Sequence, residues 1–333
     1  MLGSTAILAV LFVALAAVSL SASSTLIVRI ERLGSRIGVT EALLGLGAAL
    51  AADAPEITSA ATALLRGQPD VGVGVVLGAN VFQLAALLGL GAFLARGIRL
   101  SRRIVAFEGI AAIWLALLAS GVIVRGTPGP VALALALAVF VPYVIVSAVG
   151  PAARARLPLP HRFRGDVTAL LAQEEAELAE AIGPLQHRGS DGPVALVALV
   201  AVIAASSGLE VVATELAQRG GIPDVVLGGV VLAVVTSLPN LVAAVHLARR
   251  GRGSATLSEA MNSGRINTLA GLLVPAAIIG GIAATAAAST LATWYLVMTV
   301  AVLGYLYLRR GLSRAGGVVV MSSYVVVLVT LLR

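Results

Sequence analysis

Displaced by 184 residues and without gaps, the sequence lies over itself, and this self-similarity limits the possible folds more than any other feature. Gly45 falls on Gly229, Ala49 on Ala233, Pro55 on Pro239, Ala60 on Ala244, and Arg66-Gly67 on Arg250-Gly251. Written out, LLGLGAALAADAPEITSA lies over LGGVVLAVVTSLPNLVAA. Further on, LGANVFQLAALLG lies over MNSGRINTLAGLL, which sets Ala79 on Ser263 and Gln83 on Asn267. Each half carries a proline inside an otherwise apolar run, followed by a second polar patch.

The solvent for those runs is not water. Apolar residues make up 59% of the 333, and charged residues only 12%, about half the share of an ordinary globular domain. Several runs exceed the roughly 18 apolar residues that cross a bilayer core. Ten spans are read, at 5–28, 38–65, 71–95, 104–124, 130–149, 193–217, 224–248, 255–282, 288–308 and 316–332. The expected fold class is an all-α membrane protein of ten transmembrane helices, arranged as two inverted five-helix repeats. The repeats cover 1–149 and 193–333, joined by a polar linker at 150–192. The linker opens with Pro151, Pro158 and Pro160 among arginines and then gathers Gln173, Glu174, Glu175, Glu177 and Glu180. It reads as a solvated connection, with a short surface helix over 166–182 as the alternative.

All 23 basic residues are arginine, and they alternate. The connections after spans one, three, five, seven and nine hold three, four, five, three and three. Those after two, four, six and eight hold one, one, one and none. Positive residues stay on the cytoplasmic side, so both termini are expected outside an inner (plasma) membrane and the linker inside. The formal charge of +7 is thus spent beside lipid head groups, and no nucleic-acid partner is expected. Ile7 to Leu26 ends in small residues like a leader peptide, but it has no basic start and many spans follow. It is read as the first helix. With no cysteine, disulfides and thiolate metal sites are excluded. No zinc-hydrolase histidine motif, nucleophile elbow or phosphate loop is present, so no enzyme and no cofactor are expected.

Five spans separate matching positions, and five is odd, so the second half must cross the membrane in the opposite sense. Inverted repeats place substrate near the midplane, where interrupted helices meet. Pro55 and Pro239 supply the interruptions, since proline removes an amide donor and clashes with the carbonyl one turn back. The carbonyls freed there are expected to serve as ligands.

At these segments the chain resembles the cation/calcium exchanger superfamily. GIPDVVLGGVVLAVVTSLPN at 221–240 is similar to its Gly-Thr-Ser-x-Pro-Glu signature and lead-in, and GVTEALLGLGAALAADAPE at 38–56 is a looser match. GANVFQ at 78–83 and NSGRIN at 262–267 resemble its Gly-Ser-Asn element. The resemblance implies a sodium/calcium exchanger-like protein whose site uses the residue after each proline and the last residue of each Gly-Ser-Asn element. Here these are Glu56, Gln83, Asn240 and Asn267. It further implies hydroxyl ligands one turn earlier, kept as Thr236, Ser237 and Ser263 but replaced by Ala52, Asp53 and Ala79 in the first half.

Ala52/Glu56, Ala79/Gln83, Thr236/Asn240 and Ser263/Asn267 are each four apart and share a helix face. Four such faces would give an oxygen-lined site for a hard cation, with Asp53 adding a second carboxylate to Glu56. Carboxylates inside a span are costly, which argues that these two are used. Alternatives stay open for the others. Gln83, Asn240 and Asn267 could tie helices together, and the three hydroxyls could bond their own backbone. Arg265 is expected either to pair with Glu259 or the second span's carboxylates, or to compete with a transported cation. Glu108, Glu210 and His246 are read as interfacial.

The function expected is secondary antiport of sodium or protons against calcium or a similar cation by alternating access. Two alternatives remain: a monovalent-cation or proton carrier, and a non-transporting relic neutralised by Arg265. The partners expected are membrane lipid and the inorganic cations Na+, Ca2+ or H+. The arginine pattern makes a topological prediction. A cysteine at Ser4 should react with an impermeant maleimide from outside, and one at Ser190 only after permeabilisation; labelling from the same side would overturn the topology.

Overall fold

The computed structural model describes residues 4–37, 47, 49–148, 191–251 and 253–331. The expected surface helix at 166–182, nearly all of the linker and most of the 38–48 lead-in, with Gly45, lie outside these residues. The described residues are helical nearly throughout. In chain order the helices are α1 (Thr5–Ile37), α2 (Ala54–Leu65), α3 (Pro69–Leu94), α4 (Arg102–Arg125), α5 (Gly129–Ala148) and α6 (Asp191–Gly220). They continue as α7 (Asp224–Thr236), α8 (Leu238–Arg249), α9 (253–279), α10 (Ala286–Arg309) and α11 (Arg314–Leu331).

Among the described residues seven helices are long and apolar enough to cross a membrane: α1, α3, α4, α5, α6, α10 and α11. Of the other four, α2, α7 and α8 lie in the two spans read as interrupted by proline, and α9 covers the eighth span. Two boundaries differ from expectation. α1 continues to Ile37 instead of ending near residue 28, carrying Arg29 and Arg32 on helical backbone. Asp191 and Gly192, read as linker, already belong to α6.

Local structure repeats at the displacement found in the sequence. The helical chain bends at Asp53 (φ −84°, ψ −4°) before α2, and again at Ser237 (φ −81°, ψ 0°) before α8. Both bends sit two residues before a proline, whose fixed φ and missing N–H suit the first turn of the helix that follows. α2 and α8 each end at an arginine followed by a glycine at φ 75°, Gly67 and Gly251. α4 and α10 have the same length, and each starts at a side-chain cap, Ser101 or Thr285. Backbone widens into π-helical turns at Leu84–Leu90 in α3 and Asn267–Leu273 in α9.

α3 and α7 cross in the centre, backbone against backbone. A Cβ on Gly78 would lie 2.3 Å from the Gly229 Cα, and one on Gly74 would lie 2.9 Å from the Gly229 nitrogen. Glycines four apart permit this approach as in other membrane helix pairs. α3 is buried along almost its whole length, whereas α1, α5 and α11 expose most of theirs.

The connections sort by contact. Ile98 and Arg99 pair antiparallel with Leu312 and Gly311, which ties the arginine-rich segments after α3 and α10 into a two-stranded ribbon. Gly253, beside the arginine-rich end of α8, packs on the Arg99 carbonyl. Arg29 bonds Asp191 at 2.5 Å. The arginine-poor connections contact each other instead. The Thr285 amide donates to Asp70 (3.1 Å) and the Gly129 amide to the Gly280 carbonyl (3.4 Å).

The central crossing gives a stability prediction. Gly78→Val forces a branched side chain onto backbone that cannot yield and should destabilise the protein by at least about 1–3 kcal/mol. Gly304→Val on α10, where a Cβ meets nothing within 4 Å, is the control. Thermal unfolding in detergent reads the difference, and equal melting temperatures would contradict the packing account.

Candidate cation site

The two bends aim polar side chains at each other. Asp53 and Glu56 flank Pro55, and Ser237 and Asn240 flank Pro239; all four are fully buried. The Asn240 side-chain amide donates to Asp53 Oδ1 at 2.5 Å, and the Ser237 hydroxyl donates to Glu56 Oε1 at 2.7 Å. Displacement by 184 carries Asp53 to Ser237 and Glu56 to Asn240. Each bend residue therefore bonds the residue after the other half's proline. This reciprocity is that of a self-complementary two-fold contact. Charge-assisted bonds of this kind are short and strong.

Ser263 joins from α9. Its hydroxyl donates to Asp53 Oδ1 at 2.5 Å and accepts from Asn240 at 3.1 Å. Asp53, Asn240 and Ser263 thus form one bonded cluster, with Glu56 and Ser237 beside it along the same two bends. Asp53 Oδ2, Glu56 Oε2 and Asn240 Oδ1 are buried and accept no hydrogen bond. Gln83 and Asn267 are also buried, and neither amide makes a hydrogen bond. Gln83 directly precedes one π-helical stretch and Asn267 opens another. Unsatisfied buried groups cost about 1–3 kcal/mol each, and π-turns concentrate at functional positions. Amides that merely tied helices together would be bonded; these two are not.

Thr236 behaves differently, for its hydroxyl donates to the Leu232 carbonyl in its own helix at 2.8 Å. The carbonyl freed by Pro55, that of Ala51, accepts the Ser23 hydroxyl of α1 at 2.9 Å, so it is satisfied by protein where a ligand role was expected. Among the described residues no group of three or more His, Asp, Glu or Cys side chains could hold a metal ion. The cluster offers two carboxylates together with hydroxyl and amide oxygens, a donor set suited to hard cations.

Arg265 corrects the sequence reading. The partner found is Glu108 of α4, at 2.5 Å, with both side chains fully buried. The guanidinium also donates to the Tyr143 hydroxyl at 2.9 Å and to Asn262 Oδ1, and it lies over the Tyr143 ring, 4.2 Å from its centroid. Glu108, expected at the interface, is buried because α10 packs along α4 and α9 brings Arg265 to it. Glu210, likewise read as interfacial, is buried and bonds Arg66 at 3.2 Å. His246 is exposed.

Comparison with known proteins decides the family. The profile described as sodium/calcium exchanger protein matches residues 7–149 and 193–333. The chain belongs to this family. One curated relative, the sodium/calcium exchanger MaX1 of Methanosarcina acetivorans, is 34% identical over 122 residues, which covers 34% of this chain and 33% of that protein. The match thus spans about a third of the relative's length. Among solved structures, the H+/Ca2+ exchanger CAX superposes with a TM-score of 0.70 at 16% identity, covering 97% of this chain and 82% of that one. The sodium-calcium exchanger NCX_Mj superposes at 0.54 and 17% identity, covering 98% and 99%. The fold is therefore that of these exchangers. Membership makes the chain a multi-pass membrane protein of an ion-exchanger family and not an enzyme.

The Arg265–Glu108 contact yields a second prediction about stability. Glu108→Gln leaves a buried guanidinium without its counter-charge and should cost about 3–5 kcal/mol. Replacing both, Glu108→Leu with Arg265→Leu, should recover most of that loss. Melting temperatures of the single and double variants test this; a double variant as unstable as Glu108→Gln would exclude the pair as the cause.

Proposed function

We propose that this member of the sodium/calcium exchanger family is a secondary antiporter that moves calcium or a similar cation against sodium or protons by alternating access. Its cation site is built from Asp53, Glu56, Gln83, Ser237, Asn240, Ser263 and Asn267, with Thr236 contributing at most a lone pair, since its proton is bonded to its own helix. Residues 1–149 and 193–333 act as two inverted five-helix repeats, ten spans in all, joined by a cytoplasmic linker. Both termini face outside.

The observation that carries the reading is the reciprocal pair of bonds, Asp53 with Asn240 and Glu56 with Ser237. Two like halves running in opposite senses would meet in this way, and a ligand at their meeting point lies on the axis that relates them. The repetition of bends, caps and π-turns supports the same arrangement, as do the contacts that group arginine-rich with arginine-rich connections. The relic reading loses its motive, because Arg265 is already engaged by Glu108. Three amides where further carboxylates could stand keep a carrier of monovalent ions alone as the competing outcome.

Calcium and sodium titration of the purified protein in detergent, followed by calorimetry, provides the test. Calcium should bind to the wild type, and Glu56→Gln should lose that binding. Asp53→Ser should weaken calcium more than sodium, because a divalent ion gains twice as much from each carboxylate at a given distance. Sodium binding without calcium binding would select the monovalent carrier. Unchanged calcium affinity in Glu56→Gln would remove the site.

A further inference from the structure

Polar contacts join α6 to α2 along one seam, and displacement by 184 residues finds no matching seam in the other half. Ser59, Thr62 and Arg66 are three and four apart and share a face of α2. The Ser59 hydroxyl donates to the Ser206 carbonyl at 3.2 Å, the Thr62 and Ser207 hydroxyls bond each other at 3.1 Å, and Arg66 bonds Glu210 at 3.2 Å. The seam starts three residues past Glu56 and runs about 10 Å along the helix. It ends in the arginine-poor connection that carries Asp70. The displacement carries its α2 side to Ala243, His246 and Arg250 and its α6 side to Ala22, Ser23 and Leu26. His246 and Arg250 are exposed, and neither side chain bonds α1. The Ser23 hydroxyl donates to the Ala51 carbonyl instead, and Leu26 offers Arg250 no charge. One side of the site is latched and the other is not.

We infer that this seam gates the ion path on the arginine-poor side: Arg66 and Glu210 latch α6 to α2, and a cation passes between Glu56 and that side only when the latch opens. The inference rests on the antiporter reading and adds to it the residues that close one side. A carrier of this kind moves one part against the rest around a fixed site, so that one side shuts while the other opens. The seam lies on the helix whose first turn holds Glu56, so parting α6 from α2 uncovers the approach to that carboxylate. Its chemistry suits repeated opening, because hydrogen bonds between protein groups exchange for bonds to water at small net cost. Glu210 is fully buried, whereas the Arg66 side chain is 45% exposed, so water entering between the helices solvates both. Thr214 on α6 donates to the other Glu210 oxygen at 3.2 Å, which keeps the carboxylate aimed while Arg66 leaves and returns. The Arg265–Glu108 pair differs in having both side chains fully buried, as a fixed joint would. With no equivalent latch between α8 and α1, the pair biases the carrier toward closure on the arginine-poor side.

The chain has no cysteine, so introduced cysteines report on the seam directly. In the purified full chain, Ser59→Cys is buried in the seam and should react slowly with a maleimide, whereas the exposed His246→Cys should react fast. Adding Glu210→Gln or Arg66→Gln should speed the Ser59→Cys reaction about tenfold, as a one-decade shift toward the open form would. Arg66→Lys keeps the charge and should leave the reaction slow. Equal Ser59→Cys rates with and without Glu210→Gln would overturn the latch. A second arm pairs Thr62→Cys with Ser207→Cys in proteoliposomes holding a calcium indicator, and diamide oxidises the two thiols to a disulfide. The bridge should stop calcium uptake driven by a sodium or proton gradient, and dithiothreitol should restore it. Full uptake with the bridge in place, or failure of the two thiols to bridge, would also overturn the inference. If the unmodified chain moves no calcium while the Ser59→Cys rates respond as expected, the antiporter reading fails and the latch stands.

Discussion

A carboxylate held away from water must be neutralised or bonded wherever it sits, and the architecture of this chain follows from how it meets that demand. It uses two solutions in different places. Glu108, Glu210 and Asp191 are each given an arginine that reaches in from another helix. Asp53 and Glu56 receive neutral donors, Asn240, Ser237 and Ser263, which satisfy one oxygen of each and bring no counter-charge. The first solution fastens helices together. The second leaves carboxylate oxygens without a basic partner at one point among the described residues, which suits a cation site.

Backbone geometry makes the second solution possible. Ordinary helices crossing at 8–10 Å hold their side chains apart, and the donors could not reach. Glycines at 74, 78, 228 and 229 bring α3 and α7 together at backbone distance. The bends at Asp53 and Ser237 then turn the chain so that each residue after a proline faces the other half's bend. Proline at the second position of α2 and of α8 fixes where those helices begin, and hence which residue faces across. The sequence elements that repeat at 184 residues are these: the bend, the proline and the glycine that ends the following helix.

Much of this was legible in the sequence, because it depends on local rules. Span positions follow from hydropathy, the breaks from proline and the pairing of connections from arginine alternation. The candidate side chains follow from matched positions in the two halves, and five of the eight meet in hydrogen bonds. What was not legible depends on tertiary pairing. Arg265 and Glu108 are 157 residues apart, and nothing in spacing selects Glu108 over Glu259. Glu108 lies six residues into α4, about 9 Å along its axis, which hydropathy alone reads as interface. The Ser23 bond to the Ala51 carbonyl escaped for a related reason. A freed carbonyl takes whatever donor packing brings, and α1 brings a serine. Thr236 and Ser237, adjacent and alike in sequence, take opposite roles because only Ser237 sits on the bend.

The division of labour between the halves has its own physical logic. Both carboxylates come from the first half and the facing donors from the second. Had each half carried a carboxylate after its proline and another at its bend, the reciprocal contacts would set acid against acid. Like charges at hydrogen-bond distance repel strongly in a medium of low dielectric. The crossing would then rely on a bound cation to hold it together. With Asn240 and Ser237 opposite Asp53 and Glu56, the same contacts are attractive in the protein itself. The crossing is hydrogen-bonded by its own side chains, and a cation need only compete for carboxylate oxygens already aligned. Placing Asn240 and Ser237 opposite the two carboxylates thus lowers the charge of the proposed cation site and leaves its assembly to the fold's own hydrogen bonds.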